Sequence, residues 1–269
     1  MSGGPAVAVS GVDQVFKRGR RNEVVALRGI DLEVEPGGFV SLIGPSGCGK
    51  STLLRLVADL IQPTAGTVTV NGKPARQARL DQDYGMAFQQ AGLFEWRTVA
   101  ANVELPLELR GWDRARRRER SRELLELVRL GEFAGHRPWE LSGGMQQRVA
   151  IARALAVRPP ILLMDEPFGA LDEMTREHMQ DELVRICAET GTTVVFVTHS
   201  IPEAVFLSDR VVVMSARPGR ITAVVEVGLD RRDQDTREDP AFYAAVTEVR
   251  EALRGRTGRV ADPTAVVER

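Results

Sequence analysis

Gly44-Pro45-Ser46-Gly47-Cys48-Gly49-Lys50-Ser51 is the stretch that decides the reading of this 269-residue chain. It fits the pattern Gly, any four residues, Gly, Lys, Ser or Thr, which is that of a phosphate-binding loop. Before it stands Phe39-Val40-Ser41-Leu42-Ile43, a short apolar run that reads as a buried strand. After it Leu53, Leu56, Val57 and Leu60 fall at helical spacing. Gly44, Gly47 and Gly49 let the backbone curl tightly enough for several N–H groups to face one anion. The helix expected to begin near Lys50 adds its positive end. Lys50 is expected to reach the β- and γ-phosphates of a nucleotide, and the Ser51 hydroxyl to ligate Mg2+. A Gly-rich turn without function would match the same letters, but it does not call for a strand before and a helix after.

The rest of the composition sets bounds. Hydrophobic residues make up 43% and charged residues 27%, as in a globular protein. The length allows one large domain or two small ones. The net charge of −1 gives no basic field of the kind that binds nucleic acid. No apolar run approaches the length of a membrane span, and Met1-Ser2-Gly3-Gly4-Pro5 lacks the pattern of a signal peptide. The chain is therefore expected to be intracellular, with any membrane role supplied by a partner. Cys48 and Cys187 are the only cysteines, too few for a disulfide framework or a metal cluster. Cys48, inside the loop, reads either as an oxidation-sensitive thiol or as an inert small residue.

Residues 6–9 and 30–34 read as strands, with a polar loop over 17–22 between them and Phe16 just before it. Thr67–Val70 followed by Asn71-Gly72 is a hairpin signal. From Leu93 to about Arg137 the pattern turns helical, and 113–129 reads as a helix stopped by Gly131. Its Arg run is interleaved with Glu119, Glu123 and Glu126, which favours a solvated face over a nucleic-acid contact. Trp96, Trp112 and Trp139 lie in or beside this segment, either packed in a local core or facing a partner. Residues 160–165 form an apolar strand ending in acid, 173–190 a helix stopped by Gly191, and 193–197 a second buried strand. Ser200-Ile201-Pro202-Glu203 has the spacing of a capping box. Residues 211–214 read as a strand, 217–220 as a turn and 221–227 as a hairpin mate. Residues 230–239 read as irregular, 241–253 as a helix and the last residues as disordered. Strands alternating with helices after Pro160 indicate a mainly parallel sheet.

A phosphate loop alone leaves kinases, GTPases, helicases and transport ATPases open. Leu141-Ser142-Gly143-Gly144-Met145-Gln146-Gln147-Arg148 narrows the choice, because it resembles the signature motif of ABC ATPases. Other stretches match the same family in the same order: Phe16 the aromatic that stacks on adenine, Gln89 the glutamine loop, 161–166 the Walker B strand, 170–172 the D-loop, and His199 the switch histidine. The resemblance covers about residues 6–226. It implies an α/β P-loop NTPase of ABC type, with a mainly parallel sheet flanked by helices, an antiparallel β subdomain and an inserted helical subdomain. The expected division is 1–90 for the first part of the ATPase core, 91–157 for the helical subdomain, 158–228 for the rest of the core and 229–269 for a short extension.

The same resemblance implies the site. ATP would be bound by Phe16, by Gly44, Pro45, Ser46, Gly47, Cys48, Gly49, Lys50, Ser51 and Thr52, and by Gln89, Ser142, Gly143, Gly144, Gln146 and Asp172. Mg2+ would be held by Ser51, Gln89 and Asp165, and catalysis carried by Glu166, His199 and Lys50. Taken by themselves, Ser142-Gly143-Gly144 could be an ordinary helix cap. In the family they form the second half of an ATP site, completed when two copies meet head to tail in an isologous dimer. His136 and His178 read as structural.

Segments 96–107, 167–172, 197–204 and 208–220 look like the ATP-binding subunits of bacterial nitrate/sulfonate/taurine-type importers. Glu95 and Asp59 depart from that group, which usually has Pro and Gly there. The resemblance implies a peripheral protein at the cytoplasmic face of the bacterial membrane. Its expected partners are a transmembrane permease, through it a solute-binding protein, and a second copy of itself, with no nucleic acid. The alternative is a soluble ABC-type ATPase without a membrane partner. A single cassette and the lack of a long heptad run favour the importer.

Overall fold

The computed structural model describes residues 4–18, 22–229, 232–233 and 235–255. The chain opens with β1 (Val7–Arg18) and β2 (Asn22–Val34), then β3 (Phe39–Ile43), which leads through the Gly-rich loop into α1 (Lys50–Val57). β4 (Ala65–Val70), β5 (Lys73–Pro74), α2 (Ala75–Leu80) and β6 (Tyr84–Ala87) follow. Next come α3 (Val99–Leu109), α4 (Arg114–Leu127) and α5 (Gly143–Leu155), and after them β7 (Ile161–Asp165), α6 (Glu173–Thr190), β8 (Thr193–Val197) and α7 (Ile201–Leu207). β9 (Arg210–Met214), β10 (Ile221–Glu226) and α8 (Pro240–Leu253) complete the order.

Two sheets result. The larger has six strands in the order β10-β9-β3-β8-β7-β6, parallel except for β10 at one edge. Every residue of β3, β7 and β8 is buried, which explains why they read as unbroken apolar runs rather than as alternating ones. The smaller sheet is antiparallel, ordered β2-β1-β4-β5. Its β4–β5 connection is the expected Asn71-Gly72 hairpin, with φ of 50° and 70° at the two turn residues. Phe196 of β8 is fully buried between Phe39 and Phe168, with ring centroids 5.9 and 5.7 Å away.

Several elements differ from expectation. β1 and β2 are far longer than the runs at 6–9 and 30–34. Register shifts between Val9 and Val12 and again up to Val15 break the period of two by which strands are read. Lys17 pairs with Glu23 and Arg18 with Asn22, so the ends of the polar loop expected over 17–22 belong to the strands; residues 19–21 lie outside the described residues. Helix α4 ends at Leu127, and Arg129, not Gly131, takes the left-handed conformation after it (φ 55°). Gly131 instead begins a 3-10 turn over Gly131–Phe133. Leu60 lies beyond α1 and is 47% exposed. Arg120 of the basic run does not point to solvent alone: it donates to the Leu155 and Ala156 carbonyls at the end of α5. Trp96 and Trp139 are exposed, so core packing accounts for neither; Trp112 lies half-buried under the Arg116 guanidinium. The 18-residue α6 does end at Gly191, with φ 63°. α8 begins one residue earlier than expected, at Pro240, with Asp239 as cap. Residues 256–269, expected to be disordered, lie outside the described residues, as do 230, 231 and 234 of the irregular stretch.

Phe196→Ala should cost about 3–5 kcal/mol, because two flanking rings cannot collapse into the space it leaves. Urea unfolding of the two proteins would measure the loss.

Candidate functional site

The parallel register fixes the geometry of the site. Leu42 of β3 and Asp165 of β7 both pair with Val197 of β8, so the three strands end level. The segments that follow leave side by side: Gly44–Gly49 from β3, Glu166 from β7, Thr198 and His199 from β8. Crevices outside the carboxyl ends of parallel strands are where open α/β sheets bind ligands.

The two ends of the Gly-rich loop are closely packed, while Pro45, Ser46 and Gly47 between them are exposed. Gly49 caps α1 with φ 111°, and a Cβ there would stand 2.5 Å from Leu27 Cδ2. Gly47 also lies in the left-handed region (φ 74°). A Cβ on Gly44 would stand 2.7 Å from the Met214 carbonyl oxygen. Lys50 is buried, and its ammonium donates to the carbonyls of Gly44 (2.9 Å) and Pro45 (3.3 Å). The loop therefore curls around its own lysine. The Cys48 side chain is buried, with Sγ 3.9 Å from Lys50 Nζ.

On the facing strand end, the Ser51 hydroxyl donates to Asp165 Oδ1 (2.8 Å). Burial pushes the Asp165 carboxyl above its ordinary value, and the Ser51 bond pulls it part of the way back. Glu166 stands in the left-handed region (φ 47°), where a non-Gly residue is strained. Its N–H donates to the Val197 carbonyl (2.9 Å). That conformation turns the carboxylate toward Gln89, whose Nε2 donates to Glu166 Oε2 over 3.5 Å. His199 Nδ1 lies 3.2 Å from the same oxygen.

These groups enclose a cleft of about 540 Å3, lined by Ser46, Gly47, Gly49, Lys50, Ser51, Thr52, Gln89, Glu166 and His199, with Phe16, Val24 and Ala26 at one side. Gly44, Pro45 and Cys48 do not line the cleft: Cys48 is buried, Pro45 is exposed, and the Gly44 and Pro45 carbonyls accept from Lys50. Ser142, Gly143, Gly144, Gln146 and Asp172 are not brought to it. The Ser142 hydroxyl caps α5, accepting from the Met145 N–H (3.3 Å), and Gln146 donates to the Pro138 carbonyl (2.9 Å). Asp172 caps α6 on the surface, and the N–H of Thr175 holds its carboxyl below the usual range. A Cβ on Gly144 would stand 3.0 Å from the Ala170 carbonyl oxygen, so the start of α5 lies close against the loop before Asp172.

Arg217 was missed in the sequence. It lines the cleft and donates to the Gly47 carbonyl (3.2 Å). Beside it, a Cβ on Gly219 would collide with the Cys48 carbonyl oxygen. A turn with two arginines around Pro-Gly was the available signal, but nothing in the local pattern placed that turn beside the loop.

The donor set suits a nucleotide and a hard cation. Loop N–H groups, the start of α1 and the Lys50 ammonium are anion-binding groups. The Ser51 hydroxyl, the Gln89 amide oxygen and the Asp165 carboxylate are oxygen donors of the kind Mg2+ takes. Among the described residues no group of three or more His, Cys, Asp or Glu side chains could hold a metal ion. A cation here would thus depend on these few oxygens together with phosphate oxygens.

Loop, strand-borne acids and inserted helices define a P-loop nucleotide-binding fold of ABC type. The chain belongs to the ABC transporter family: residues 27–169 match the family described as ABC transporter. It is 51% identical over 218 residues to an uncharacterised ABC transporter ATP-binding protein of Methanocaldococcus jannaschii, covering 81% of each. It is 47% identical over 243 residues to the taurine import ATP-binding protein TauB of Rhizobium johnstonii, covering 89% of this chain and 92% of that one. Against the bicarbonate transport ATP-binding protein CmpC of Synechocystis the identity is 46% over 248 residues, and the chain spans only 37% of that protein's length. Among solved structures, a dimeric post-hydrolysis state of an ATP-binding cassette bound to ADP and Pi superposes with a TM-score of 0.77 at 37% identity, covering 82% of this chain and 98% of that one.

Gly49→Ala should abolish tight nucleotide binding while leaving the protein folded. The added methyl meets Leu27 and demands φ 111° of an L-residue, so the loop must rearrange. Titration with a fluorescent ATP analogue, alongside circular dichroism, would check both halves.

Proposed function

We propose that this chain is the ATP-binding and ATP-hydrolysing subunit of an importer for a small solute of the nitrate, sulfonate or taurine class. The observation that carries the reading is the meeting of Lys50, the Ser51–Asp165 pair, Glu166, Gln89 and His199 at one edge of the parallel sheet. The likeness to TauB, a taurine import protein, supports that class, and the likeness to CmpC, a bicarbonate transport protein, supports a small solute more broadly.

In this reading the loop N–H groups and Lys50 hold the β- and γ-phosphates, and Phe16, exposed at the cleft side, stacks on the base. Ser51, Asp165 and Gln89 would hold Mg2+, which when bound neutralises phosphate charge. The Glu166 carboxylate orients the attacking water and accepts its proton. The water oxygen bonds to the γ-phosphorus as the bridging P–O bond breaks, and His199 contacts the γ-phosphoryl group.

The reading includes a head-to-tail dimer in which Ser142, Gly143, Gly144, Gln146 and Asp172 of one copy complete the ATP site of the other. The solved relatives described as dimeric support this. Coupling to the membrane would run through the helical subdomain. Gln147 of α5 donates to the Phe88 carbonyl (2.8 Å) beside Gln89, and Arg153 donates to the carbonyls of Ala91 and Gly92 (both 2.8 Å). Movement of α5 on ATP binding would therefore carry the segment around Gln89 with it. The exposed Phe94 and Trp96 offer apolar surface to a permease helix. Among the described residues no helix is long and apolar enough to cross a membrane, so attachment to the cytoplasmic face would be peripheral and through that permease.

Glu166→Gln should bind ATP, lose at least about a hundredfold in turnover and persist as a dimer in ATP, because the group that activates water is gone while the phosphate site remains. Phosphate release and size-exclusion chromatography would report the two effects; normal turnover contradicts the assignment. A mild-detergent pull-down of the tagged chain from its own cells should bring down a multi-span membrane protein in stoichiometric amount. Recovery of soluble partners alone would support an ABC-type ATPase without a membrane subunit.

A further inference from the structure

The His199 side chain is 68% exposed, and among the described residues its hydrogen-bonding contact is Glu166. A side chain so lightly held takes its place from the backbone on either side of it. That backbone is anchored by a line of polar groups running in from the carboxyl-terminal part of the chain. The Thr198 hydroxyl accepts the Ser200 N–H (3.0 Å), bridging across His199, and donates to Glu203 Oε2. Glu203 Oε1 accepts from Gln180 Nε2 of α6 (3.1 Å). Gln180 Oε1 in turn accepts from Arg237 Nη2 (3.1 Å), in the 3-10 turn Asp235–Glu238. Arg237 also donates to Asp181 Oδ1 (3.0 Å), and its guanidinium lies 3.6 Å over the Phe206 ring of α7.

Three features make this a positioning device rather than incidental contacts. Thr198, Gln180 and Glu203 are all buried, so a missing partner leaves a polar group unsatisfied in the interior. The line has a direction: a reversed Gln180 amide would set its NH2 against the guanidinium and its oxygen against the carboxylate. The spacing of Ser200 and Glu203 predicts a reciprocal capping box, yet only half forms. Ser200 Oγ accepts from the Glu203 N–H, while the Glu203 carboxylate turns inward to Thr198 and Gln180.

We propose that Arg237 is a positioning residue for His199, acting through Gln180, Glu203 and Thr198. The inference rests on the proposed role of His199 at the γ-phosphate. It gives residues after the ATPase core a part in hydrolysis.

The test is steady-state ATP hydrolysis by the full-length chain and its variants, with thermal melting followed in parallel. Arg237→Gln should lower kcat about tenfold and leave the KM for ATP within about twofold, since the phosphate loop is untouched. Thr198→Val should show the same split, and Thr198→Ser should restore turnover. Because both changes break one line, the double variant Arg237→Gln with Thr198→Val should lose no more than Thr198→Val alone. Gln180→Met, which leaves Arg237 on Asp181 and Phe206, should reproduce the split and decides the matter if Arg237→Gln does not fold. Unchanged kcat in Arg237→Gln or Gln180→Met, or losses that multiply in the double variant, would overturn the proposal. His199→Ala separates the two levels: if it is inactive while Arg237→Gln turns over normally, the proposal alone fails. If His199→Ala itself turns over normally, the reading of the site fails first.

Discussion

The level ending of β3, β8 and β7 is the constraint on which the other features depend. Leu42, Val197 and Asp165 stand in one row, and each chain leaves the sheet at the next residue or two. A slip of one residue between β7 and β8 would turn Asp165 to the opposite face and carry Ser51 out of its reach. Register of this kind is secure only in strands with a strong reason to pair one way. Here all three are buried on both faces, and the stack of Phe39, Phe196 and Phe168 ties β3, β8 and the loop after β7 together. The edge that carries the candidate site is therefore set by packing that lies one layer beneath it.

On that edge the chain accepts strain that the sheet can hold in place. A left-handed Glu166 and a left-handed Gly49 face one cleft, one an acid with a Cβ and the other unable to carry one. Strain of this sort costs on the order of 1–3 kcal/mol and persists where neighbours over-determine the conformation. Glu166 has such neighbours: its N–H is held by Val197, and its carboxylate meets Gln89 and His199. Lys50 is held in an equivalent way. A buried ammonium is unfavourable without partners, and the Gly44 and Pro45 carbonyls supply them from within the loop. The loop thus supplies from its own backbone the partners its lysine needs.

What could be read in advance follows from how local each signal is. The octet at Gly44, the apolar run ending at Asp165 and the glycine that stops α6 each declare themselves within a few residues. The long hairpin of β1 and β2 did not, because its bulges break the alternation that marks a strand. Arg129 in place of Gly131 has no local signal, because glycine is the usual left-handed cap; Leu125 and Leu130 on either side of it are both core residues. Arg217 reaches the cleft only because β9 pairs beside β3, a fact of topology with no local signature. The capping box at Ser200 was half legible: the serine obeyed the motif, while the glutamate answered to α6.

The glutamate's departure bears on how the carboxyl-terminal part of the chain belongs to the fold. Phe242, Val246, Val249 and Ala252 of α8 share one apolar cluster with Phe206 and Leu207 of α7 and with the strands β8 and β9. Arg232 donates to the Ser208 carbonyl and to Asp209, whose other carboxylate oxygen receives the Phe39 N–H at the start of β3. α7 is only seven residues long, too short to hold a helical shape on its own account. It is kept by what covers it, and α8 with the turn before it provides much of that cover. The residue that opens this short helix follows His199 directly. Any loosening of the carboxyl-terminal segment would therefore be felt first at the histidine, before the buried strands that carry the phosphate loop and Asp165.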